Sequence, residues 1–153
     1  MSLPQDPLSQ LLIRHEGVRY SPYTDTTGHL TVGVGHNLDA HPIVPPPTYP
    51  LDDEQVSTLL AQDIADAEDQ LSLNVDFFPT LDTVRQAAMT DLCFNIGINS
   101  LLSFHMFLHF MGTQQWNAAA GDLLATLYAR EVGRRAADLA AMINTGVWLE
   151  ISP

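Results

Sequence analysis

Apolar positions fall at helical spacing over most of the chain and alternate in one short stretch near its start. Leu8, Leu11 and Leu12 line one face of a helix predicted over 7–15, with Asp6 as N-cap and Pro7 at the first helical position. Gly17 stops it and leaves Glu16 at its C-terminal end, where the helix dipole disfavours a carboxylate's charge. The pattern then changes. His29-Leu30-Thr31-Val32-Gly33-Val34-Gly35-His36 alternates and follows the turn residues Thr24-Asp25-Thr26-Thr27-Gly28, so 18–38 reads as a small antiparallel hairpin sheet. Pro42, Pro45, Pro46, Pro47 and Pro50 make 39–50 a loop and a weak boundary.

A long helix is predicted from Asp52. Asp52 and Gln55 have the spacing of a capping box, and Val56, Leu59, Leu60, Ile64, Ala67 and Leu71 recur behind them. Asp63, Asp66, Glu68 and Asp69 read as the solvated face of that helix, since no glycine-containing calcium loop accompanies them. From Leu81 the chain is helical: 82–96 with Val84, Ala88, Leu92 and Ile96 on one face, then segments near 101–111, 115–127 and 134–144. Gly97, Gly112, Gly133 and Gly146 punctuate these segments. The fold class is α+β, predominantly α, with a small β-containing N-terminal lobe, a long connecting helix and an all-α C-terminal lobe. A cleft between such lobes is a common place for a ligand.

The 153 residues suffice for one such domain, and 46% hydrophobic with 16% charged residues is a globular composition. Cys93, the one cysteine, excludes an internal disulfide and reads as a buried small hydrophobe rather than a nucleophile. A formal charge of −12 repels nucleic acid and anionic membranes, and protonation of six histidines eases that repulsion in mild acid. The first residues have neither a basic nor an apolar signal region, and the longest apolar run, 101–111, is too short to span a bilayer. No metal or cofactor is expected. His105 and His109 are the only histidines spaced to meet, and they read as an ordinary helix face.

The chemistry-bearing residues crowd between Glu16 and His36. Glycosidic cleavage needs an acid at the leaving oxygen and a second carboxylate across the sugar. Glu16 on a helix end and Asp25 on a turn could face each other across a groove, although a carboxylate pair nine residues apart is weak evidence by itself.

The pattern Glu16-Gly17, Tyr23, Asp25, Gly28, Thr31, Gly33, Gly35, His36 resembles the signature of the phage-type lysozymes, muramidases of glycoside hydrolase family 24. The likeness continues in Leu81-Asp82-Thr83-Val84-Arg85-Gln86-Ala87-Ala88, Phe94-Asn95-Ile96-Gly97, Trp116, Arg135-Ala136 and Thr145-Gly146-Val147-Trp148. It implies one lysozyme domain over 1–153: an N-terminal lobe at about 14–51, a connecting helix at about 52–72, and a helical lobe of 73–153 joined by the first helix. It also implies a monomer that hydrolyses the bond between N-acetylmuramic acid and N-acetylglucosamine in peptidoglycan, with inversion. Glu16 is then the general acid. Asp25 stabilises charge at the anomeric carbon or acts as base toward water, and Thr31 holds that water. Arg135 would pair with Glu16 from the far lobe, and His36 would anchor the sheet.

Gly35, Asn37, Phe94, Asn95, Gly97, Asp122 and Tyr128 are the implied substrate contacts. Gly33 and Gly35 would let backbone approach a sugar, or be simple strand kinks. Tyr128 could stack on a sugar or pack between helices. Asn37, Asn95, Asp122 and Tyr128 stand where the best-known member has leucine, glutamine, asparagine and tryptophan. Trp116 and Trp148 read as packing residues. The family further implies synthesis in a host cytoplasm without a signal peptide and release to the wall through a holin-type pore. Two other readings remain open: a lytic transglycosylase, which would need neither Asp25 nor Thr31, and an inactive wall-binding module.

Overall fold

The computed structural model describes residues 2–150, mostly helical with a small antiparallel sheet. The chain forms two compact units, Met1–Ala65 and Asp66–Pro153.

The first unit opens with α1, Pro7–Glu16. The Asp6 carboxylate accepts the Ser9 N–H at 3.1 Å, and Gly17, at φ 74°, donates to the Ile13 carbonyl and ends the helix. Strand β1 is Arg19–Thr24, β2 is Leu30–Gly33, and β3 is the two-residue His36–Asn37, paired antiparallel in that order. Tyr23 lies opposite Thr31, and Thr31 opposite Asn37, with an irregularity in β1 between Arg19 and Tyr23. The third strand is an addition to the hairpin read from sequence. Positive φ at Gly33 and Gly35 turns the chain back on itself there.

Helix α2, Asp53–Asn74, starts on the reciprocal pair expected from its sequence. The Asp52 carboxylate accepts the Gln55 N–H at 2.8 Å, and the Gln55 side chain accepts the Asp52 N–H at 2.9 Å. Leu11, Leu12, Val32, Val34, Leu51, Val56 and Leu60 are buried in this unit, and a side chain at Gly33 would touch Val56 and Leu59.

In the second unit a 3-10 turn, Phe78–Thr80, precedes α3, Thr83–Ile96, which Asp82 caps. Burial on α3 is wider than one face: Val84, Ala87, Ala88, Met89, Thr90, Asp91, Leu92 and Cys93 are all buried. The segment read as continuous over 101–111 divides into α4, Ile98–Leu102, and α5, His105–Gly112. Ser103 turns its hydroxyl onto the Ser100 carbonyl at the break, where a serine side chain competes with the helix ladder. Helices α6, Trp116–Leu124, α7, Leu127–Val132, and α8, Arg134–Thr145, follow. Helix α8 packs on α3 and α6. Arg85 joins them by donating to the Ile143 carbonyl at 2.7 Å and stacking 4.0 Å over Trp116. Cys93 is buried, and burial pushes its thiol up to about 11, out of the nucleophile's range. Among the described residues no helix is long and apolar enough to cross a membrane.

Candidate active site

In the first unit Glu16 is the last residue of α1 and Gly35 lies between β2 and β3. A Cβ at Gly35 would overlap Glu16 Oε2 and lie 2.8 Å from its Cδ, and Gly35 has φ +65°. The glycine lets bare backbone lie against the carboxylate, so the sheet holds the Glu16 side chain.

Asp25 sits in the turn between β1 and β2. One oxygen, Oδ1, accepts the Thr27 N–H at 2.9 Å, the Thr27 hydroxyl at 2.8 Å and the His29 N–H at 2.8 Å. The His29 N–H above all holds the Asp25 carboxyl below its ordinary 3.8; desolvation opposes it, and the Thr27 hydroxyl and N–H add to the lowering. The side chain is a third exposed, and Oδ2 makes no hydrogen bond to a described residue. It is a fixed negative charge with one oxygen left over.

Thr31 is buried on β2 and donates its hydroxyl proton to the His29 carbonyl at 3.0 Å. That same carbonyl accepts the Asp25 N–H at 2.9 Å, so one oxygen ties the Thr31 hydroxyl to the turn carrying Asp25. With its proton committed, the Thr31 oxygen can act only as an acceptor, the role needed to hold a water by its hydrogen.

His36 is buried between two acceptors. Nδ1 lies 2.7 Å from Asp63 Oδ2 and Nε2 lies 2.8 Å from the His41 carbonyl. Satisfying both requires a proton on each nitrogen, so the ring is the charged imidazolium. The Asp63 hydrogen bond foremost raises the His36 pKa from 6.5, with desolvation opposing. Asp63, assigned by its sequence pattern to a solvated helix face, instead pins β3 and the following loop to α2. Asn37 uses its side-chain oxygen to accept the N–H groups of Asp39 and Ala40 at 2.9 and 3.0 Å, which leaves its amide N–H groups for a ligand.

The other implied contacts belong to the second unit. Phe94 and Asn95 are half-buried on the last turn of α3, and Gly97 ends that helix with φ +81°. Asn95 Oδ1 is buried and has no hydrogen-bond partner among the described residues. Asp122 lies on α6, half-buried. Tyr128 is on α7, and its side chain lies outside the described residues. Arg135, at the start of α8, is buried and donates to Asp91 Oδ1 at 2.8 Å and to the Asp91 carbonyl at 3.3 Å. Sequence reasoning passed over Asp91, although a charged residue directly before the apolar run Leu92-Cys93-Phe94, at helical spacing from Ala87 and Ala88, is itself a sign of a buried pair.

A family model described as phage lysozyme matches residues 13–141. The chain is similar to the pre-baseplate central spike protein of Enterobacteria phage T4, at 24% identity over 94% of this chain and 28% of that protein. It is also similar to a probable T4-type lysozyme of Dictyostelium discoideum, at 22% identity over 91% of this chain and 94% of that protein. The chain thus spans under a third of the spike protein's length and nearly all of the slime-mould protein's.

Proposed function

The chain belongs to the phage lysozyme family and is a lysozyme-type cell-wall hydrolase, and from that premise we propose that it cuts the β-1,4 bond between N-acetylmuramic acid and N-acetylglucosamine in peptidoglycan with Glu16 as general acid. The observation that carries this reading is the clasp of Glu16 against Gly35, in the same unit as a turn-bound, ionised Asp25.

In the proposed mechanism Glu16 gives its proton to the glycosidic oxygen as that bond breaks. Positive charge grows at the anomeric carbon, and the Asp25 carboxylate stabilises it. Water, held by the acceptor oxygen of Thr31, adds to that carbon and loses a proton to Asp25 Oδ2. Water attack on the opposite face gives inversion, for which the family resemblance is the support. Phe94, Asn95, Gly97, Asp122 and Tyr128 are proposed glycan contacts, with Asn37 offering amide N–H groups and Gly35 bare backbone. Arg135, held by Asp91, is the proposed cation of the site, and His36 fixes the strand that follows Gly35. Action as a monomer on the wall, after release through a holin-type pore, is part of the same proposal.

Product chemistry tests it. Digestion of purified peptidoglycan in ¹⁸O-labelled water is expected to leave one label at each new reducing N-acetylmuramic acid end. Unlabelled anhydro ends would replace hydrolysis with the transglycosylase reading, and binding without new ends would favour a wall-binding module.

A further inference from the structure

The surroundings of Tyr23 give it a role. In an antiparallel pair, residues directly opposite each other project from the same face of the sheet. Tyr23 is opposite Thr31, and Thr31 is opposite Asn37, so the three side chains share one rung and one face. The Arg19 guanidinium lies 4.7 Å from the Tyr23 ring centroid and covers one face of the ring. That face is closed to a stacking sugar. The phenol hydroxyl is another matter. Tyr23 is half-buried, yet its hydroxyl makes no hydrogen bond to any described residue.

Burial first and the Glu16 charge second keep the proton on this phenol; Arg19 opposes them, and Asp25 adds a lesser push in the same direction as Glu16. The group is a neutral O–H that both carboxylates influence, on the face that carries Thr31. A half-buried donor with no protein acceptor leaves hydrogen-bonding capacity for a ligand. The sugar hydroxyl, ring and acetamido oxygens of a glycan are acceptors of the right kind.

We propose that Tyr23 is a substrate-binding residue whose phenol O–H donates a hydrogen bond to an oxygen of the glycan held at Glu16 and Asp25. The assignment rests on the glycan-cleaving reading above and extends its site by one residue. It separates the hydroxyl from the ring: the ring belongs to Arg19 and the fold, the hydroxyl to the substrate.

Tyr23→Phe removes only the hydroxyl. On soluble peptidoglycan strands its kcat/KM is expected to fall about tenfold, the scale of one ordinary hydrogen bond. The loss should be uniform from pH 5 to 8, because the donor stays protonated throughout, and the thermal midpoint should not move, because no protein partner is lost. In a Glu16→Gln background, binding of the same strands should weaken by a similar factor. A Tyr23→Phe enzyme that cuts and binds like the parent would overturn the assignment and leave hydrolysis standing. A loss confined to one limb of the pH profile would overturn it too, since Tyr23 would then act through Glu16 or Asp25. Tyr23-dependent binding without any cutting by the parent would sink the hydrolase reading and keep this one.

Discussion

At Gly35 a single methyl group decides where Glu16 can be. The added carbon would overlap the carboxylate oxygen, and φ +65° is strained for any L side chain. Gly35→Ala is therefore expected to cost about 1–3 kcal/mol of stability. Its activity should fall at least a hundredfold, since a displaced acid misses the leaving oxygen. Thermal unfolding and turnover of the same preparation would check both, and a folded Gly35→Ala enzyme with parental turnover would refute the clasp. Asn95 makes a different demand. Its buried, unpartnered oxygen contributes nothing to the fold, so Asn95→Leu is expected to leave the thermal midpoint unchanged or raised. If that oxygen waits for the substrate, the same variant loses affinity for glycan, read as a raised KM.

The elements carry their own test in the pin between β3 and α2. The His36 pKa lies above 6.5 in the folded protein. Its contribution to stability is thus fully present below about pH 6.5 and is lost as pH rises through the folded value. Asp63→Asn is expected to cost about 1.5–3 kcal/mol in mildly acidic buffer. The gap to the parent should narrow as pH climbs above 6.5, which denaturant titrations at several pH values would show. A gap that widens with pH would contradict the charged ring. This pin also marks where the sequence stopped being legible. Local signals sufficed for α1, with Asp6 and Gly17 at its ends, and for the Asp52–Gln55 start of α2. The break at Ser103 and the separate α7 were missed, because short helices are decided by packing rather than by propensity. The stretch from Glu16 to His36 announced itself by its density of carboxylates, histidines and glycines. Nothing in it said that Asp63 would leave the solvated face for His36, that Asp91 would hold Arg135, or that Gly35 would abut Glu16. Those are contacts between residues 19 to 44 positions apart, and periodicity carries no information about them.

For the whole molecule the dominant property is its charge. Eighteen acidic and six basic residues give −12. An anionic wall repels such a molecule over distances comparable with the screening length, roughly 10 Å at 0.1 M salt. Wall lysis is therefore expected to quicken as salt rises from low to moderate concentration, through faster encounter rather than faster chemistry. Turnover of short uncharged glycan fragments should stay flat over the same range. Lysis that slows steadily with added salt would contradict this. The measurement that bears most directly on the account is the clearing of purified peptidoglycan by the parent and by Glu16→Gln, which keeps the side chain's size and removes its acid proton. The parent is expected to clear, and a folded Glu16→Gln protein is not. Clearing by both would move the acid away from Glu16 and contradict the mechanism.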